Sequence, residues 1–111
     1  MPTRAFRMTL HPGCKEEYRR RHDALWPELA EALHAAGIED YRIFLDTQSN
    51  ALFAVMIHQE AHGLDSLPEL AVMKRWWHFM ADIMETHTDD SPVEVELEEM
   101  FVLRPFAQDK L

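Results

Sequence analysis

The chain has 111 residues, 47% of them hydrophobic and 28% charged, with only 3 glycines. That length and composition suit one folded domain over residues 1–111 and exclude disorder, collagen-like repeats and disulfide scaffolds. Eleven Lys and Arg against 20 Asp and Glu leave a net charge of −9, which repels phosphate backbones and anionic lipid heads, so neither nucleic acid nor a membrane surface is an expected partner. Cys14 is the sole cysteine and has no internal disulfide partner. No run approaches the roughly 18 apolar residues of a membrane span, and Met1-Pro2-Thr3-Arg4 leads into no export signal, so a cytoplasmic protein is expected.

Residues 4–11 alternate, with Phe6, Met8 and Leu10 on one face, and predict a half-buried strand that Pro12-Gly13 ends. From Lys15 to about Ala36 the spacing is helical, through Tyr18, His22, Leu25, Trp26, Leu29 and Leu33, with Gly37 as a stop. Pro27 has no amide hydrogen to give, so the helix is expected to kink or restart there. Two further alternating runs, Tyr41–Leu45 and Ala51–His58, flank the polar turn formers of 46–50 and predict a hairpin. A second helix is expected from a cap at Asp65 or Ser66, with Pro68 in its first turn and an apolar stripe of Leu70, Met73, Trp77, Met80 and Met84. After the turn Asp89-Asp90-Ser91-Pro92, alternation of Val93, Val95 and Leu97 with Glu94, Glu96 and Glu98 predicts a last strand reaching Leu103, then a short tail over about 104–111.

The order β-α-β-β-α-β is that of the ferredoxin-like α+β fold, an antiparallel sheet with two helices on one face. The strands have apolar residues at both parities, such as Ile43 and Phe44, or Phe53 and Ala54. A homodimer with sheets packed face to face is the simplest way to bury the second face.

Several residues are suited to chemistry. Tyr18 and His22 lie four apart and share a helix face, and the step from His22 to Trp26 repeats the spacing. Imidazole both takes and gives protons near neutral pH, which makes His22 a candidate acid or base. A plainer reading makes it an ordinary helix histidine. In Trp76-Trp77 the side chains point about 100° apart, so if Trp77 packs in the stripe Trp76 must go elsewhere, either to wall a core edge or to offer its face to the C–H face of a sugar. Tyr41 is placed to hydrogen-bond a ligand hydroxyl or to sit at a rim. A pocket of this composition also suits a flat aromatic ligand, so a dimeric ferredoxin-like binding module or a cofactorless oxygenase is the alternative reading.

Tyr18-Arg19-Arg20-Arg21-His22, Trp26-Pro27-Glu28-Leu29, Tyr41, Leu45-Asp46, Arg75-Trp76-Trp77 with Met80, and Asp89-Asp90-Ser91-Pro92 together resemble the pattern of the L-rhamnose mutarotase family, over nearly the whole chain. The resemblance implies a dimeric ferredoxin-like α+β barrel that interconverts the α and β anomers of L-rhamnose, with His22 as proton donor and Tyr18, Tyr41, Trp76 and Trp77 as substrate contacts. The chain departs from the pattern at His87-Thr88-Asp89-Asp90-Ser91-Pro92, where family members often read Asn-Pro-Asp-Asn-Ser-Pro. Asp90 thus replaces an amide that can donate with a carboxylate that accepts.

Ring opening of a hemiacetal needs only proton transfers and orientation, so no cofactor or metal is expected, and a neutral monosaccharide suits an acidic protein. His58 and His62 do not follow the His-Glu-x-x-His order of a helical zinc site. Arg19, Arg20 and Arg21 read as a solvated helix face able to supply one ion pair near the site, and Cys14 reads as an idle thiol.

Overall fold

The computed structural model describes residues 1–104. All of the expected tail but its first residue lies outside that range. The elements are β1 (Thr3–Thr9), α1 (Lys15–Asp23), α2 (Pro27–Ala35), β2 (Ile38–Asp46), β3 (Ala51–His58), a 3-10 helix over Leu64–Glu69, α3 (Ala71–Met80) and β4 (Val95–Glu96). The strands form one antiparallel sheet in the order β2-β3-β1-β4, the ferredoxin-like topology.

Pro27 and Pro68 both break an expected helix, Pro27 at a position where its missing N–H costs nothing. Pro27 is the first residue of α2 and Trp26 its extended cap, so the long first helix is two helices. Pro68 lies within the 3-10 turn, and the α-helix proper starts only at Ala71, after an extended Leu70. Gly37, at φ +104°, leaves α2 through the left-handed region as expected of a stop. β2 starts at Ile38 rather than Tyr41, because an irregularity between Ile38 and Asp40 lets the strand extend beside β3 up to His58.

Phe6 and Met8 of β1, and Leu10 just after it, pack with Leu52, Ala54 and Met56 of β3 against Leu29, Val72, Trp76 and Met80 of the helices. The core thus lies on one face of the sheet. On the other face Phe44 is 56% and Val95 44% exposed.

The last strand is far shorter than the alternation suggests. Phe6 pairs with Glu96 and Arg7 with Val95, and Leu97 N–H still donates to the Ala5 carbonyl at 3.0 Å. In that register Thr3, the first residue of β1, stands opposite Glu99. From Met100 onward the chain has run past the end of β1, and Met100, Phe101 and Leu103 are exposed.

Candidate active site

Two adjoining hollows, of about 1120 and 630 Å³, open between the helices and the core face of the sheet and share Tyr18, His22, Tyr41 and Trp76 in their walls. Such volumes suit a small ligand. Trp77 lines the larger one. All five residues expected to contact a substrate are therefore brought together, from α1, β2 and α3.

Helical spacing sets the first pair. The rings of Tyr18 and His22 stack with centroids 4.3 Å apart at 29°. His22 Nδ1 lies 3.0 Å from the Tyr18 carbonyl oxygen. A carbonyl only accepts, so Nδ1 holds the proton of the neutral ring and Nε2 is left to handle a proton for a ligand. Trp76 meets His22 edge to face at 5.3 Å. Burial pushes the His22 pKa below its ordinary 6.5, partly opposed by the hydrogen bond to the Tyr18 carbonyl and the nearby Asp23.

Tyr41 stands on the core face of β2, 36% exposed, with its ring edge-on to Phe6 at 6.5 Å. Burial raises the pKa of both Tyr18 and Tyr41, so near neutral pH each phenol keeps its proton and acts as a hydrogen-bond donor or relay, not as a base.

Two assignments of side chains to faces change. The buried row of α3 is Val72, Trp76 and Met80; Met80 and, after the helix, Met84 are buried as expected, but Val72 and Trp76 take the places expected of Met73 and Trp77, which are only partly covered, and Leu70 is exposed. Because the helix starts after Leu70, the face turned to the sheet is set by Val72. Trp76 is the core indole and also walls both hollows, and Trp77 is the less covered one, at the larger hollow alone. Trp26, expected on the stripe of Tyr18 and His22, lies beyond the break in the helix and packs edge-on to Trp76 at 5.1 Å.

Arg21 is no solvated residue. Its side chain is only 10% exposed and bridges Glu17 of its own helix to Asp82 beyond α3, with its guanidinium 4.6 Å from the Phe79 ring centroid. The ion pair expected of one of Arg19–Arg21 falls to Arg21, while its burial was not expected, because an i,i+4 pair with Glu17 is a common surface motif of a helix.

In the turn before β4, Asp90 has φ +69°, a left-handed conformation that Asn and Asp tolerate best after Gly. The amide-for-carboxylate exchange thus preserves a backbone requirement. Asp90 Oδ2 lies 2.8 Å from His78 Nδ1 at the rim of the larger hollow. His58 and His62 touch edge to face at 4.7 Å, but Nδ1 of His58 is 2.8 Å from the Gln59 carbonyl and Nδ1 of His62 accepts the Leu64 N–H. Among the described residues no group of three or more His, Cys, Asp or Glu is placed to hold a metal ion.

The L-rhamnose mutarotase family model matches residues 3–103. The chain belongs to the L-rhamnose mutarotase family. Relatives named L-rhamnose mutarotase include one from Burkholderia ambifaria, 59% identical over 93% of this chain and 99% of its own length, and one from Paraburkholderia phytofirmans, 55% identical over 93% and 96%. The crystal structure of the L-rhamnose mutarotase of Formosa agariphila superposes with a TM-score of 0.88 at 41% identity, over 94% of this chain and 100% of that one. A dimeric ferredoxin-like protein from an uncultured marine organism shares the fold alone, with a TM-score of 0.53 and 14% identity, over 91% of this chain and 96% of that one.

In this mutarotase-family chain two further polar residues reach the site from the sheet, Arg4 of β1 and Glu94 just before β4. Sequence reasoning passed over them because alternation marks charged positions in a strand as the wet face, and here the core face ends in a cavity.

Proposed function

We propose that this protein interconverts the α and β anomers of L-rhamnose, with His22 as the proton donor and Tyr18, Tyr41, Trp76 and Trp77 as the residues that hold the sugar. The observation behind this reading is the fixed His22 ring, whose Nδ1 is tied to the Tyr18 carbonyl while the side chain lines a cavity of indoles and phenols. Protonated His22 delivers the Nε2 proton to the ring oxygen as the C1–O5 bond breaks, and the anomeric hydroxyl gives up its own proton. The open aldehyde turns about C1–C2 and recloses on its other face, returning both protons. A positioned acid–base group contributes about 10²- to 10⁴-fold, enough for a reaction that already proceeds slowly in water. The indoles would cover the C–H face and the 6-methyl group, and the phenols would orient hydroxyls.

A homodimer belongs to the same proposal. The sheet face away from the helices presents Phe44, Phe53, Val55, Ile57, Val95 and Leu97, which packing against a second copy would bury. The dimeric ferredoxin-like relative supports this arrangement. Among the described residues no helix is long and apolar enough to cross a membrane, and we place the protein in the cytoplasm.

The test is NMR exchange spectroscopy on equilibrated L-rhamnose. Cross-peaks between the anomeric protons should grow with wild-type protein at catalytic concentration. Wild-type protein that leaves the exchange rate at its buffer value, while its tryptophan fluorescence responds only to aromatic compounds, would instead favour an aromatic-binding module.

A further inference from the structure

We propose that Glu94 is a second catalytic residue, the base that takes the proton of the anomeric hydroxyl while His22 donates to the ring oxygen. The inference rests on the mutarotase reading and deepens it.

Placement comes first. Arg7 pairs with Val95 and Phe6 with Glu96, so Glu96 and, two residues back, Glu94 share the face of Phe6 and Met8, which is also the face of Tyr41. That is the face toward the helices. The valines that alternate with these glutamates turn to the opposite side. Glu94 thereby lines the larger hollow together with His22, Tyr18, Tyr41, Trp76 and Trp77.

Its surroundings leave it available. Arg4 donates from Nε to Glu96 at 2.9 Å, and its ion pair with Glu94 is the looser one, with Nη2 3.5 Å from the Glu94 carboxylate. No hydrogen bond reaches the Glu94 carboxylate among the described residues, and its side chain is 34% exposed. The groups that face it are Arg4 from β1, Tyr41 from β2, His87 from the preceding loop and Glu96 on its own strand. Burial raises its pKa above the ordinary 4.5, opposed by the Arg4 guanidinium, and so increases its proton affinity.

Glu94 stands apart from the other carboxylates and the phenols of the cavity. Both phenols hold their protons, Asp89 accepts from Ser91, and Asp90 is paired with His78. Asp65 and Glu69 reach the cavity from the 3-10 helix, not from the sheet that bears Tyr41.

The step balances. The O1–H proton passes to the Glu94 carboxylate, the electron pair of that O–H becomes the second C1–O1 bond, C1–O5 breaks, and O5 takes the His22 proton. Reclosure returns each proton. The active state has one proton on the pair, on His22, which requires pH values between the two groups' titrations.

Exchange spectroscopy across pH on wild type, Glu94→Gln and Glu94→Asp, with L-rhamnose affinity from tryptophan fluorescence, tests the role. Glu94→Gln should lower the exchange rate about 10²-fold at unchanged affinity and abolish the acidic limb of kcat/KM, and Glu94→Asp should restore part of the rate and the limb. A Gln variant with wild-type rate and limb, or one whose entire loss lies in affinity, overturns the proposal. So does a wild-type profile with no acidic limb, a readout that needs no variant to fold. Failure of the parent reading is recognised separately, by wild-type protein that does not accelerate exchange at any pH.

Discussion

The guanidinium of Arg21, in α1, donates to both carboxylate oxygens of Asp82, beyond the end of α3, at 2.8 and 3.2 Å, and to the Phe79 carbonyl at 2.7 Å. One residue further along α1 is His22. The clamp therefore sets how deeply the helix bearing the imidazole seats against the helix bearing Trp76 and Trp77. Arg21→Ala should cost about 2 kcal/mol in denaturant unfolding, because a buried stem and hydrogen bonds to a carboxylate and a carbonyl are lost together. Arg21→Lys should recover only part, since an ammonium cannot make the fork. A full recovery by Lys would show that charge alone matters.

His22→Ala should reduce anomer exchange by about 10²- to 10⁴-fold while leaving L-rhamnose binding largely intact. For the wild type, burial holds the His22 pKa below 6.5, so the donor form is lost as pH rises through that depressed value and kcat/KM should fall on an alkaline limb centred below 6.5. The stability effect has the opposite sign. Folding favours the neutral ring, the unfolded chain binds more protons, and this contribution is lost as pH falls from 6.5 through the folded value. His22→Ala should flatten that part of a melting-temperature profile against pH.

The two adjacent indoles should separate by function. Trp76 is 7% exposed and within the core cluster, so Trp76→Ala should cost about 3–5 kcal/mol and leave little folded protein at elevated temperature. Trp77→Ala should unfold nearly as wild type but bind L-rhamnose about 10-fold more weakly, a loss of ~1.4 kcal/mol. Equal thermal losses in both variants would argue that Trp77 is structural.

Asp90 supports a left-handed turn and holds His78 at the rim. Asp90→Asn should keep stability and L-rhamnose turnover, because Asn accepts the same φ, yet change the relative rates on sugars differing from L-rhamnose at one hydroxyl. Asp90→Val should cost about 1–2 kcal/mol from backbone strain alone. Unchanged sugar preferences in the Asn variant would confine Asp90 to a turn-forming role.

Phe44, 56% exposed on the sheet face away from the helices, should be covered in a dimer. Phe44→Asp should shift the protein from dimer to monomer by light scattering, since a charge buried in the interface on each copy opposes association. A wild type that is monomeric at all concentrations would remove the dimer from the proposal.

Much of this molecule was legible before any coordinates. Local rules decide where strands alternate, where Gly37 and Pro27 interrupt helices, and that Tyr18 and His22 share a face, because each depends on covalent geometry within a few residues. The order of elements then implied the topology, and the spacing of motifs implied the family. Three things required the tertiary structure. Which indole enters the core was decided by where α3 starts, a matter of how Leu70 and Pro68 leave the 3-10 turn. Whether Arg21 faces water was decided by Asp82, sixty-one residues away in sequence. Which parity of the last strand faces the helices was decided by its register on β1, and alternation has two faces but no sign. A pattern within one segment states that two sides differ, and only a neighbouring segment states which side is inside.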